Sequence, residues 1–392
     1  MTDLAQSARV QPGPTVSFAF NLAKVPDHGE DSDPILREGP DLGLAGVFDG
    51  MGGAGGTVYE TDDGPRSGAY LASRIARDVV EERLLGALAP ERPLPGEATA
   101  AELHDAVQAA LQTRLAELNA PTSRLRSRLL RALPTTMALG ALQRSERDGG
   151  DWVCHVLWAG DSRVYVGTAD GLHQVSIDDL RDPGDAMANL QRDSVISNAI
   201  SADTEFHINH RQVPVTAPFF LLCATDGCFG YLRSPMHFEE VVLRTLASAR
   251  TEDDWSEALQ AEISAVTGDD AAMAVIAVGA DLPALQQLTA ARLTEVTEQF
   301  TVPMDRLLDE VHAAEQSLAQ LQLRRANDTA TRWQRYRDGY ERLLGPETDA
   351  PPEAPEEGFR RQIWNPPKAI ATGSTTAPAP DAGAASDEEE RP

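Results

Sequence analysis

Four short acidic segments carry the residues that could do chemistry: His28-Gly29-Glu30-Asp31, Val47-Phe48-Asp49-Gly50-Met51-Gly52-Gly53, Ala224-Thr225-Asp226-Gly227 and Gly268-Asp269-Asp270. Each lies beside an apolar run that would deliver it to one edge of a sheet, and three set an Asp directly beside a Gly. Carboxylates aimed at one point repel one another unless a cation neutralises them. The chemistry expected is therefore a polynuclear metal site built from hard oxygen ligands. Mg²⁺ and Mn²⁺ suit such a thiol-free cluster, because both prefer octahedral oxygen coordination and keep several waters.

The elements that must position these segments alternate between short β-like runs and longer helical ones from residue 15 to 280. Ser17–Leu22 and Leu42–Phe48 read as strands, the second ending at the Asp49-Gly50 turn. Pro65 opens a helix to about Leu88 with Tyr70, Ile75, Val79 and Leu84 near one face. A second helix covers Thr99–Leu118, where Leu103, Val107, Leu111, Leu115 and Leu118 recur at helical steps. Strands are predicted over Thr135–Leu142, Trp152–Trp158, Arg163–Val166, His173–Ser176, Glu205–Val213, Phe219–Ala224 and Ala272–Val278, and helices over Phe238–Ala249 and Trp255–Val266. Most strand connections are short enough for antiparallel neighbours. The fold class expected is α+β, a sandwich of two antiparallel β-sheets flanked by α-helices.

Residues 281–345 read as a helical extension, Leu282–Phe300 and Met304–Leu344, with a break and restart at Thr301-Val302-Pro303. Leu307, Val311, Ala314, Leu318 and Leu321 step by four and three, a heptad seam. A helical hairpin, a coiled-coil homodimer through residues 303–344, or packing back on the main block would each bury it. Residues 1–14 read as a flexible N-terminus and residues 346–392 as a disordered acidic tail rich in Pro and Ala. Phe359-Arg360-Arg361-Gln362-Ile363-Trp364 interrupts that tail as a candidate docking motif.

Charge and composition exclude several partners. A net charge of −27 argues against a phosphate-backbone contact, so no nucleic acid is expected. No segment approaches the ~20 continuous apolar residues of a membrane span. Cys154, Cys223 and Cys228 form no disulfide framework and lack zinc spacing, which fits buried thiols in a reducing cytoplasm. His207 and His210, in a strand, would face opposite sides and form no joint metal site.

The ordered set Phe48-Asp49-Gly50-Met51-Gly52-Gly53, Ala159-Gly160-Asp161-Ser162-Arg163, Thr225-Asp226-Gly227 and Gly268-Asp269-Asp270 resembles the metal-dependent Ser/Thr protein phosphatases of type 2C, the PPM family, in its bacterial form. The resemblance covers roughly residues 15 to 280. It implies that Asp49 bridges two divalent ions, Mn²⁺ or Mg²⁺, and that the Gly50 carbonyl contacts one of them. Glu30 would hold the second ion mainly through water, with Asp31 orienting a water, while Asp226 and Asp269 complete the first ion's shell and Asp270 stands behind them. Asp161 and Asp226 would take a third, weaker ion. Two ions about 3.5–4 Å apart acidify a bridging water that attacks phosphorus in line, and they neutralise the phosphoryl oxygens, so no protein nucleophile is needed. The implied substrate is a phosphorylated protein, and the helical extension is a candidate docking surface for a cognate Ser/Thr kinase.

The chain departs from the family pattern ahead of Glu30. An Arg that normally grips the substrate phosphate is replaced by the stretch Lys24-Val25-Pro26-Asp27-His28. Lys24 is the candidate substitute and His28 the candidate proton donor to the leaving oxygen. Lys offers a point charge where Arg offers a fork. The alternative reading is a phosphatase-like binding module, weak or inactive in catalysis, that acts through its helical extension. Arg163 is read as a structural partner of the Asp161 loop, and Trp152 and Trp158 as packing residues.

Overall fold

Burial, caps and turns shift the ends of the elements expected from the sequence and add short ones it did not show, the strands Ile35–Gly39, Val58–Thr61 and Gly64–Ser67 and the helices Gly52–Gly55 and Ala186–Gln191. The computed structural model describes residues 13–62, 64–87, 94, 96–118, 131–144, 151–191 and 194–344. The expected flexible N-terminus, apart from residues 13 and 14, and the expected acidic tail with its Phe359–Trp364 motif lie outside the described residues. In chain order come β1 (Pro14–Leu22), β2 (Ile35–Gly39), β3 (Leu42–Val47), the single-turn α1 (Gly52–Gly55), β4 (Val58–Thr61), β5 (Gly64–Ser67), α2 (Gly68–Ala87) and α3 (Gly96–Glu117). The middle holds β6 (Met137–Arg144), β7 (Trp152–Ala159), β8 (Arg163–Thr168), β9 (Gly171–Gln174), α4 (Ala186–Gln191), β10 (Asn209–Val215) and β11 (Phe219–Ala224). Then follow α5 (Pro235–Ser248), α6 (Glu252–Ser264), β12 (Ala271–Val278), α7 (Leu282–Val296) and α8 (Val302–Tyr340).

Two five-stranded sheets form, in the orders β1-β12-β11-β8-β9 and β10-β7-β6-β3-β2, beside a small β4-β5 hairpin. All their pairings are antiparallel. Ala45, Val47, Trp152, Val156, Leu221 and Ile276 are among the side chains filling the space between the sheets. The outer face of the first sheet packs on α5, α6 and α7 through Phe220, Phe238, Trp255 and Leu285. That of the second packs on α2 and α3 through Leu44, Ala76, Val107 and Leu139. The α+β sandwich expected from the sequence is the architecture observed. Because both faces are covered, β11 and β12 are buried at every residue, which explains their wholly apolar sequences.

Three local expectations change. Pro65 does not open a helix; it pairs with Glu60 in the hairpin, and α2 starts after Ser67, whose Oγ accepts the Tyr70 N–H at 3.1 Å as a cap. The buried face of α2 is Ala69, Ala72, Ala76, Val80 and Leu84 rather than the stripe through Tyr70, Ile75 and Val79, because small residues let the helix lie close against the sheet. Thr301-Val302-Pro303 does not break the extension: α7 runs through a π-helical turn, Thr297–Thr301, into α8 with helical backbone at Val296 and Val302. The wider turn accommodates the proline ring, which would crowd the carbonyl four residues back.

The chain divides into two units, Met1–Ala313 and Ala314–Pro392. In the first, α7 buries Leu282, Leu285 and Val296, and the seam residues Leu307 and Val311 of α8 are exposed. In the second, Leu318 and Leu321 are exposed, and Trp333, Tyr336 and Tyr340 form a cluster of rings.

Candidate active site

Strand register gathers the acidic segments at one end of the sandwich. In the first sheet Ala224, the last residue of β11, faces Met273 near the start of β12 and Arg163 at the start of β8, while Leu22 at the end of β1 faces Ala271. In the second sheet Val47 at the end of β3 faces Ala138, which faces Trp158 near the end of β7. The loops leaving these ends carry Glu30, Asp31, Asp49, Gly50, Asp161, Asp226, Asp269 and Asp270, so all the acidic candidates share one edge.

Each is held by bonds from a different element. The Asp49 carbonyl accepts from Thr135 Oγ1 at 2.6 Å and from the Thr136 N–H at 2.8 Å. Thr225 Oγ1 donates to Asp31 Oδ2 at 2.9 Å. Ser67 Oγ donates to Glu30 Oε1 at 2.5 Å. Asp270 spends both oxygens on the main chain, accepting from the Lys24 N–H at 2.8 Å and the Glu30 N–H at 2.6 Å. Asp269 is exposed, and its Oδ1 accepts the Asp270 N–H at 2.9 Å. Gly160, at φ +107°, forms the turn before Asp161, and its N–H donates to Asp179 Oδ2, which also accepts from Asn198 and Asn209. Gly52 leaves room for the Glu30 carboxylate: a Cβ there would lie 1.8 Å from Glu30 Oε2 and would displace it.

The electrostatics are those of crowded like charges. Burial pushes the Asp31 and Asp49 carboxyls well above the usual carboxylate range; Asp226 adds to both, and Asp31 and Asp161 add to Asp49. Asp161 is pushed up to about 8 by burial and then by Asp226 and Asp178. Burial followed by Asp269 raises Asp226, against a hydrogen bond shared with Asp49, and burial raises Glu30 against the Ser67 bond. Two guanidiniums beside the acidic edge are committed elsewhere. Arg163 donates to Asp178 at 2.9 and 2.7 Å, as the structural role read for it requires, though its partner is Asp178 rather than Asp161. Arg74 donates to the carbonyls of Gly29, Glu30 and Asp31 at 3.1–3.2 Å.

This donor set fits a divalent cation. It is all oxygen, its charges repel, and Asp161 Oδ1 is buried with no hydrogen-bond partner. Among the described residues no three Asp, Glu, His or Cys side chains form a ready-made cage for one ion. Mg²⁺ and Mn²⁺ do not require one, since waters complete their shells.

Two clefts flank the acidic edge. One of about 390 Å³ opens beside Asp161 and Asp226 and is walled by Phe229, Tyr231 and Asn189. The other, of about 370 Å³, is lined by Glu30, His28, Arg66 and Tyr70. Lys24 and His28 are both exposed on the loop before Glu30. Ser67, Arg74, Thr135, Asp178, Asp179 and Thr225 were not singled out in the sequence as site residues. Only Thr225, directly before Asp226, carried a local signal; the others arrive from elements far along the chain.

Comparisons with known proteins identify a family. A profile described as protein phosphatase 2C matches residues 36–265. No curated protein sequence matches the chain. Among solved structures, the Mycobacterium tuberculosis serine/threonine phosphatase PstP/Ppp is 18% identical, over 67% of this chain and 98% of its own, with a TM-score of 0.46. A PstP catalytic domain in complex with two manganese ions is 16% identical, over 68% and 99%, at 0.45. A Caenorhabditis elegans sex-determining protein shares the fold at 14% identity, over 70% and 67%, at 0.50. With the profile spanning more than half of its length, the chain belongs to the protein phosphatase 2C family.

Proposed function

We propose that the protein is a metal-dependent protein-serine/threonine phosphatase that hydrolyses phosphoserine and phosphothreonine with two Mg²⁺ or Mn²⁺ ions. The observation that carries the reading is the crowding of Asp31, Asp49, Asp161, Asp226 and Asp269 at one edge while the Arg74 and Arg163 guanidiniums are bonded elsewhere. Asp49 and the Gly50 carbonyl would hold the ions jointly with Asp226, Asp269 and Glu30, and Asp161 with Asp226 would take a third. When bound, the ions supply an acidified water and neutralise phosphoryl oxygens. Asp31, fixed by Thr225, is placed to orient a water in the site. His28, at the rim beside Glu30, is the donor of the proton that the leaving Ser or Thr oxygen needs, and Lys24 adds positive charge at the same rim. The opposing partner is the Ser/Thr kinase that phosphorylates the substrate.

Among the described residues no helix is long and apolar enough to cross a membrane. The three cysteines are unpaired and buried, burial pushing Cys154 up to about 12, and such inert thiols support placing the protein in the reducing cytoplasm.

The decisive assay is phosphate release from a phosphothreonine peptide. With Mn²⁺ the protein should turn over, EDTA should stop it, and Asp226→Ala should lower the rate on the order of 10²–10³-fold or more. Release that persists in EDTA would remove the metal-dependent reading. No release, with Mn²⁺ still bound, would favour a phosphatase-like binding module.

The seam Leu307, Val311, Leu318 and Leu321, exposed by 52–63%, supports a second proposal, a homodimer through α8. Sedimentation should give twice the chain mass for the protein and a single chain mass for a Leu307→Asp, Leu318→Asp variant. A wild-type mass of one chain at tens of micromolar would end the idea.

A further inference from the structure

An arginine reaches the mouth of the site from an element other than the loop before Glu30. Arg66 lies on β5, one residue before the Ser67 hydroxyl that bonds the Glu30 carboxylate. Its Nη1 donates to the Asp27 carbonyl at 2.9 Å, and its guanidinium carbon stands 4.5 Å from the centre of the Tyr70 ring. One main-chain bond and one aromatic face thus hold the group in place, while Nε is buried without a hydrogen-bond partner. In a chain of net charge −27, no carboxylate among the described residues pairs with Arg66. The charge is instead presented to the cleft of about 370 Å³ that it shares with Glu30 and His28. Arg74, on the same Tyr70 ring at 3.5 Å, has no donor to spare in the same way, because its guanidinium bonds the carbonyls behind Glu30.

We infer that Arg66 binds the phosphoryl group of the substrate, a phosphate monoester dianion, on the Glu30 side of the acidic edge. The β4-β5 hairpin delivers there the fork that the Lys24–His28 segment lacks. A guanidinium held at Nη1, with Nε buried, keeps its Nη2 hydrogens for a directed, charge-assisted contact, which a lysine on an exposed loop does not offer. The inference rests on the phosphatase reading for the identity of the ligand and not for its geometry.

The test is calorimetric binding of inorganic phosphate to the full chain in Mg²⁺, with Arg66→Met and Arg66→Lys, each checked by thermal melting. Loss of a charge-assisted bond of this kind corresponds to roughly ten- to a hundredfold, so Arg66→Met should weaken phosphate by about that factor and raise KM for the phosphothreonine peptide in parallel. Arg66→Lys should recover part of the loss. Phosphate affinity within about threefold of wild type in a folded Arg66→Met variant overturns the inference, as does a wild-type chain that binds no phosphate. A wild-type chain that binds phosphate through Arg66 yet releases none from the peptide would overturn the catalytic reading and leave the inference standing.

Discussion

Replacing Asp49 by Asn is expected to abolish phosphopeptide hydrolysis, on the order of 10³-fold or more, and at the same time to make the metal-free protein more stable. Burial raises the Asp49 pKa first, and the charges of Asp31, Asp226, Asp161 and Asp269 raise it further. Removing its charge relieves four repulsions, so the melting temperature in EDTA should rise by a few degrees, at ~2–4 °C per kcal/mol for a domain of this size. The same crowding sets a pH dependence. A carboxyl whose folded-state pKa lies above its unfolded value lends stability while protonated and loses it as pH climbs through the folded value. For Asp161 that window runs from 3.8 to about 8, so in EDTA the melting temperature should fall across it. Mn²⁺ should remove most of the fall, because it stabilises the ionised carboxylates. A melting temperature in EDTA that is flat across that window, together with an Asp49→Asn variant no more stable than wild type, would mean that the carboxylates are not crowded in solution.

The second large effect concerns stability alone. Asp178→Ala should cost about 3–5 kcal/mol, because it leaves the Arg163 guanidinium buried with its charge uncompensated. The two side chains are only 3% and 2% exposed. Asp178 also accepts from Asn189 at 2.8 Å and from Gln174 at 3.0 Å, so its loss unties α4 and the end of β9 together. Thermal melting should show a drop of roughly 10 °C. A double variant, Arg163→Met with Asp178→Leu, should lose less than Asp178→Ala, since no charge is then stranded. A single variant that melts within 2–3 °C of wild type (~1 kcal/mol) would show that water reaches Arg163 and compensates it.

Much of this was legible along the chain, and the physical reason differs by element. Asp49 and Asp226 follow runs so apolar that only doubly covered strands could hold them, and antiparallel pairing then forces such strand ends to one edge. The α3 stripe through Leu103, Val107 and Leu111 was equally clear and is buried as expected. The β4-β5 hairpin was not, because four-residue strands are too short to display a period and Pro65 imitates a helix start. The face of α2 was misplaced because alanines give little hydrophobic contrast against Tyr70 and Ile75. Within the site, the acidic positions announced themselves as Asp-Gly and Glu-Asp pairs. Arg66, Arg74 and Asp178 did not, since each meets its partner only after folding, from 15 to 45 positions away.

The loop before Glu30 is fastened almost wholly by its main chain. Asp270 takes the N–H groups of Lys24 and Glu30, Arg74 takes three carbonyls, and Arg66 takes a fourth. None of these bonds uses the side chains of Lys24 and His28, whereas position 27, at φ +65°, favours a residue such as Asp that tolerates the left-handed region. The loop is therefore a mount whose fastening is separate from its facing: the side chains at 24 and 28 can change without moving Glu30. In such an arrangement the outward charge of the loop can be altered without disturbing how the acidic end is built.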